Sequence, residues 1–194
     1  MSARRRRVAV LFGGRSSEHE ISCLSARSVI DALDPETTEV IAIGIGRDGR
    51  WHVLPGAPAL PSETGRMPEV EERSGIVARL ADDHDDQPAL VLADGSRADF
   101  DVVFPVLHGP RGEDGAIQGV LEIAGVPYVG AGVLGSALGM DKAMQKAVWS
   151  AAGLPVDNGA GHCAGAVAPA FRGSRAAAPR PMSPRTARTA MARP

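Results

Sequence analysis

The chain has 194 residues, 44% hydrophobic and 23% charged, with a formal net charge of −2. That suits one soluble globular domain, which at this size buries roughly 70% of its unfolded surface. The slight negative charge argues against nucleic acid or a membrane surface as partner, and no apolar run has the ~20 residues needed to span a bilayer. Two cysteines, Cys23 and Cys163, form no disulfide framework, so a reducing, cytoplasmic setting is expected.

The charge is unevenly spread. Residues 1–156 carry 15 Lys and Arg against 22 Asp and Glu, whereas residues 157–194 carry 6 against 1. A domain over 1–156 followed by a chemically different tail is therefore expected. Arg4 to Arg7 and the short apolar run Val8–Phe12 are followed at once by glycines and acids. They read as a solvated end leading into a strand, not as a signal peptide.

In chain order, residues 7–12 predict a buried strand closed by Gly13-Gly14. Ser17 and Glu20 have the spacing of a capping box. A helix starting there puts Ile21, Leu24, Ser25, Ser28, Val29 and Ala32 on one face, and Asp34-Pro35 ends it. Glu39 to Ile45 predicts a second strand, and Arg47 to Trp51 a tight turn into a short one. Residues 55–98 contain five prolines and the acidic run Asp82-Asp83-His84-Asp85-Asp86. They read as a surface insertion in which only Ile76–Leu80 and Ala89–Leu92 are ordered, the acids being a solvated loop and not a metal site.

The core resumes with a strand over Phe100–Leu107. A helix over Ala116–Ala124, a short strand at Pro127–Val129 and a helix over Asp141–Ala152 closed by Gly153 follow. This alternation predicts an α/β fold with a parallel sheet flanked by helices, Rossmann-like, whose ligands sit beyond the carboxyl ends of the strands. Gly13-Gly14 and His108-Gly109 both fall at that edge and should face one crevice.

GGRSSEHE, residues 13–20, has neither the lysine of a phosphate loop nor the three spaced glycines of a dinucleotide fingerprint. Two glycines still let the backbone turn sharply against a ligand. Glu18 then has two readings: an acid complementing the helix dipole, or a carboxylate held by backbone amides to bind the ammonium group of a small zwitterion. HGPRGEDGAIQG, residues 108–119, adds four glycines, three charged residues and His108 between a strand and a helix. An ordinary connection needs only two to six polar residues.

GGRSSEHEIS, HGPRGEDGAIQG and VPYVGAGVLGSALGMDK together resemble the amino-terminal domain of the D-alanine–D-alanine ligases. The resemblance covers residues 8 to about 156 apart from the insertion. It implies a cytoplasmic, three-domain ATP-grasp enzyme that makes the dipeptide of bacterial peptidoglycan precursors. ATP, with Mg²⁺ or Mn²⁺, would phosphorylate the carboxylate of one D-alanine. The amine of a second would attack the acyl phosphate, releasing phosphate. By the same resemblance Glu18 matches the glutamate that anchors the first D-alanine's ammonium, and is the expected catalytic residue. His108 matches the histidine lining that subsite, and Lys142 a lysine that reaches the ATP phosphates. Gly13, Gly14, Ser17, Gly109, Gly112, Glu113, Asp114 and Gly115 are loop positions of the motifs. Family members commonly pair through this domain, so the resemblance is compatible with a homodimer.

The resemblance stops at Leu154-Pro155-Val156. Residues 157–194 contain 11 Ala, 6 Arg, 5 Pro and 4 Gly, with Asp157 the single acid and no lysine. Such a segment buries too little apolar surface to offset chain entropy and is expected to be disordered. It supplies no carboxylates for Mg²⁺, and His162 and Cys163 have no further ligand nearby. With 19 Arg to 2 Lys in the whole chain, a GC-rich source and a shifted reading frame near residue 156 are expected. Neither ATP nor Mg²⁺ should then bind productively, and the chain alone should be a truncated, inactive ligase. The rival from another class is a stand-alone module whose Glu18/His108 crevice binds an amino acid. A nucleotide-binding α/β domain is disfavoured by the missing phosphate loop.

Overall fold

The computed structural model describes residues 4–58, 66–71, 73, 75–81 and 87–156. The acidic run at 82–86 and everything expected of 157–194, including the tail, His162 and Cys163, lie outside the described residues.

Seven strands form one sheet: β1 (Arg6–Gly13), β2 (Thr38–Ile45), β3 (Trp51–Leu54), β4 (Ile76–Leu80), β5 (Ala89–Leu92), β6 (Arg97–Asp99) and β7 (Val102–Pro105). Their order is β6-β5-β4-β3-β2-β1-β7. The central trio β2-β1-β7 is parallel, as the alternation of strands and helices requires. The remaining strands add antiparallel to the β2 side. Val103 also bridges Tyr128 in parallel, so Pro127–Val129 extends the β7 edge by one bridge.

Helix α1 (His19–Ala32) follows β1, α2 (Ala116–Ile123) follows the loop after β7, and α3 (Val133–Met140) and α4 (Lys142–Ala151) close the described chain. β1 is buried on both faces, and the two-residue period of a strand divides its side chains between two cores. Val8, Val10 and Phe12 pack with Cys23 and Ala26 of α1. Ala9 and Leu11 pack with Ile117 and Leu121 of α2. The fold is thus α/β with a helix on each face of the parallel strands.

Three expectations need correction. The Ser17/Glu20 capping box does not form: Glu18 is the N-cap, with no side-chain cap bond, and Glu20 pairs instead with Arg47. The buried face of α1 is His19, Ser22, Cys23 and Ala26, while Ile21 is 49% exposed. Burial of two polar residues there has a physical reason, since both bond to backbone that the sheet edge would otherwise leave unpaired. The 55–98 segment is not merely a surface insertion. It supplies β4, β5 and β6, and buries Val70, Ala78, Ala89 and Leu90. Its strands β4 and β5 were expected but β6 was not, and neither was α3.

His19 shows how that segment is tied in. Val70 N–H donates to His19 Nε2 at 2.9 Å, so Nε2 carries no proton, and Nδ1–H donates to the Gly14 carbonyl at 2.6 Å. A fully buried imidazole thereby joins the segment to the turn after β1. Nearby, His52 is 1% exposed and neither ring nitrogen has a partner among the described residues.

Gly13 makes the turn possible. Its φ is 87°, and a Cβ there would lie 2.5 Å from the Ile45 carbonyl oxygen. A left-handed conformation costs an L residue ~1–2 kcal/mol before that clash is counted. Gly13→Ala is therefore expected to destabilise the domain by about 2 kcal/mol or more, measured as a lower urea midpoint. An unchanged midpoint would refute this account of the turn.

Candidate functional site

Two loops meet at the carboxyl edge of the parallel strands: residues 13–18 after β1 and residues 106–115 after β7. Buried serines join them. Ser22 Oγ donates to the Val106 carbonyl at 2.6 Å and accepts from Gly13 N–H at 2.8 Å. Ser16 Oγ donates to the His108 carbonyl at 2.8 Å and accepts from Glu18 N–H at 3.1 Å. Arg47 reaches the same turn from the β2–β3 hairpin, donating to the Ser16 carbonyl at 3.3 Å.

Glu18 and His108 consequently come to neighbouring places. Glu18 Oε2 lies 3.2 Å from where a Cβ on Gly109 would stand, which is a close approach that glycine allows. Glu18 is exposed, and its carboxylate has no hydrogen bond or ion pair among the described residues. The expectation that backbone amides hold this carboxylate is not met: its own N–H is bonded, its oxygens are not. An exposed carboxylate without a partner among the described residues is available to an external cation.

His108 is half-buried and held from two sides. Its Nε2 is 2.9 Å from Ser25 Oγ on α1, and its Nδ1 is 4.0 Å from Glu113 Oε1. The carboxylate facing Nδ1 favours a proton there, which leaves Nε2 to accept the Ser25 hydroxyl.

The glycine-rich loop is braced by its own acids. Glu113 Oε2 accepts from Gly109 N–H at 2.8 Å. Asp114 accepts from Arg111 N–H at 2.8 Å and from Ala116 N–H at 3.1 Å. Those backbone bonds, the Arg111 one foremost, hold the Asp114 carboxyl below its usual range. Gly112 packs so closely that an added Cβ would meet Leu107 Cβ at 2.5 Å. Gly115, at φ 92°, is the N-cap of α2.

Gly13 and Gly14 form the turn itself, and Ser17 is exposed at its outer side. Lys142 is the first residue of α4, after an Asp141 N-cap that accepts from Ala143 and Met144 N–H. It is exposed, with no hydrogen bond or ion pair among the described residues. Cys23 is not a reactive group, because burial pushes its thiol up to about 12. Among the described residues there is no group of three or more His, Cys, Asp or Glu that could hold a metal ion. No helix among them is long and apolar enough to cross a membrane.

Sequence reasoning missed Ser16, Ser22 and Ser25 as site residues. The available signal was their place within and just after GGRSSEHEIS, on a helix whose buried face is set by the sheet.

A glycine turn, a carboxylate without a partner among the described residues and a histidine thus gather beyond the parallel strands of an α/β domain, the edge where such folds place their ligands. Residues 7–131 match the family described as D-ala D-ala ligase N-terminus. The chain belongs to the D-alanine–D-alanine ligase family. It is 57% identical over 157 residues to the D-alanine–D-alanine ligase of Mycobacterium ulcerans (strain Agy99), covering 78% of this chain and 42% of that protein. The ligase of Mycobacterium avium (strain 104) is 53% identical over 160 residues, covering 80% and 43%. Among solved structures, the D-alanine–D-alanine ligase from Coxiella burnetii aligns with a TM-score of 0.67 and 38% identity, over 78% of this chain and 43% of that one. VanG D-Ala:D-Ser ligase from Enterococcus faecalis aligns at 0.62 and 31%, over 79% and 43%. The chain thus spans less than half the length of the curated relatives it matches.

Two outcomes are expected of the site. In ¹⁵N-resolved NMR of the His108 ring the Nδ1–H tautomer should dominate, and Ser25→Ala should shift it toward a mixture while Ser25→Thr retains it. A Ser25→Ala spectrum identical to the parent's would refute the bracing role. Because the folded Asp114 carboxyl is depressed, the stability it confers is present above the unfolded value of ~3.9 and is lost as pH falls through the lower folded one. Asp114→Asn should therefore flatten the urea midpoint against pH between about 5 and 2, and parallel curves for the two proteins would contradict it.

Proposed function

We propose that residues 8–156 form the first-substrate half of an enzyme that joins two D-alanines to D-alanyl-D-alanine for peptidoglycan synthesis. The observation that carries the reading is the exposed, unpaired Glu18 carboxylate beside Gly109 and next to the loop of His108. An exposed carboxylate with no partner of its own suits the ammonium of a zwitterionic amino acid. Glu18 would anchor that ammonium, and His108, held by Ser25 and faced by Glu113, would line the same subsite. Lys142 would reach the phosphates of ATP. Carboxylate phosphorylation followed by attack of the second amine is the route proposed, with phosphate leaving.

ATP and Mg²⁺ would supply the activating chemistry in the whole enzyme. Among the described residues no group of three or more His, Cys, Asp or Glu could hold the metal. These 194 residues are proposed to be inactive by themselves, because phosphoryl transfer needs positioned counter-charges that the described residues do not assemble. A cytoplasmic setting, pairing through this domain, and a tail translated from a shifted frame after residue 156 complete the proposal.

A chimera tests the reading: residues 8–156 replace their aligned counterparts in the Mycobacterium ulcerans ligase. It should release phosphate from ATP only when D-alanine is added, and Glu18→Gln in the chimera should lower kcat/KM by about 100-fold or more. A folded, active chimera indifferent to Glu18→Gln would sink the assignment of Glu18. Phosphate release by the 194-residue chain alone would refute its inactivity. The same free carboxylate also favours the second reading, an amino-acid binding module. Tight D-alanine binding by the chain without ATP, lost in Glu18→Gln, would establish that reading instead.

A further inference from the structure

Helices α3 and α4 have the composition of core elements and bury nothing. α3, VLGSALGM, contains no charged residue, a make-up that suits a helix enclosed on all sides, yet none of its residues is buried and Leu134 is 81% exposed. α4 buries none either. Its Met144 and Val148 fall on one side at i, i+4, and Trp149 lies about 100° further round. These three and Met140 are each more than 40% exposed. A monomeric surface seldom gathers so many large apolar side chains along one short stretch.

The place of these helices relative to known proteins is informative. The amino-terminal family model ends at residue 131, just before α3. The match to the Mycobacterium ulcerans ligase covers 78% of this chain, a span that takes in both helices wherever it begins, and only 42% of that protein. α3 and α4 therefore stand outside the amino-terminal module but inside the stretch shared with a whole ligase, more than half of which lies outside the match. A second copy of this chain suits the surface less well. Lys142 and Lys146 lie on α4, and Asp141, the one acid between Val133 and Leu154, is used as the N-cap of that helix. An isologous pairing of two such faces would leave uncompensated lysines on both sides.

We propose that the α3–α4 surface docks a separate polypeptide, the carboxyl-terminal remainder of a D-alanine–D-alanine ligase, bound in trans. Leu134, Met140, Met144, Val148 and Trp149 enter the apolar centre of that interface, and Lys146 at its rim meets acids of the partner. The inference rests on the ligase reading of the domain and goes beyond it in one respect. The chain that is inactive by itself becomes half of a two-chain enzyme once the partner is supplied.

The test co-expresses the full 194-residue chain with the part of the Mycobacterium ulcerans ligase that follows its matched stretch. A soluble complex of one chain with one partner is expected by light scattering, with a Kd of about 10 μM or tighter. The chain has two tryptophans. With 5-fluorotryptophan in this chain alone, the Trp149 ¹⁹F resonance, assigned through Trp149→Phe, should move when the partner binds. The Leu134→Glu/Val148→Glu double variant should keep the parent's urea midpoint, since neither residue is buried, and weaken the complex by about 10-fold or more. No complex, or a partner that stays aggregated beside the folded chain, would overturn the proposal. So would a complex that the double variant leaves intact, or a self-dimer broken by that variant in place of partner binding. The ligase reading is separated by activity. A complex that forms yet releases no phosphate from ATP with D-alanine supports docking and counts against that reading, whereas an active chimera with no complex in trans overturns docking alone.

Discussion

The Ser22 hydroxyl holds this domain's working edge together. It sits with no exposure on α1, takes the Gly13 N–H and gives its own proton to the Val106 carbonyl. Both are backbone groups at strand ends, where the sheet ladder runs out and burial without a partner costs about 1–3 kcal/mol each. One side chain satisfies both and so fixes three elements relative to one another: the end of β1, the first turn of α1 and the exit of β7. The positions of Glu18 and His108 follow from that junction.

His19 and Ser16 extend the same logic outward. His19 ties the turn to Val70, and Ser16 ties it to His108. Around a rigid junction the loop acids are spent on backbone, Glu113 on Gly109 and Asp114 on Arg111 and Ala116. Glu18 is the carboxylate of this edge that the domain leaves unsatisfied. The contrast separates acids bonded to loop backbone from the one left without a partner among the described residues, a distinction charge count alone does not make.

The last two helices of the described chain present a different surface. Neither α3 nor α4 buries a residue, and Leu134 is 81% and Trp149 43% exposed. Solved relatives match with the fold kept at 31–38% identity, while this chain spans 43% of each.

The sequence by itself determined β1, β2 and the β7 strand, because uninterrupted apolar runs can be buried only in a sheet covered on both faces. It also marked Glu18 and His108, since glycine at that density has little use in an ordinary connection. It did not reveal α3, whose Gly135 and Gly139 weaken any helical signal, nor β6, three residues long with an arginine and an aspartate. It misplaced the buried face of α1 because Ser22 and His19 are polar by residue type and become core only through partners elsewhere in the fold. Only the tertiary structure decided which serines matter. Ser16 meets His108 across 92 residues of chain, Ser22 meets Val106 across 84 and Ser25 meets His108 across 83. A hydroxyl that bonds so far along the chain leaves no local period or spacing to read.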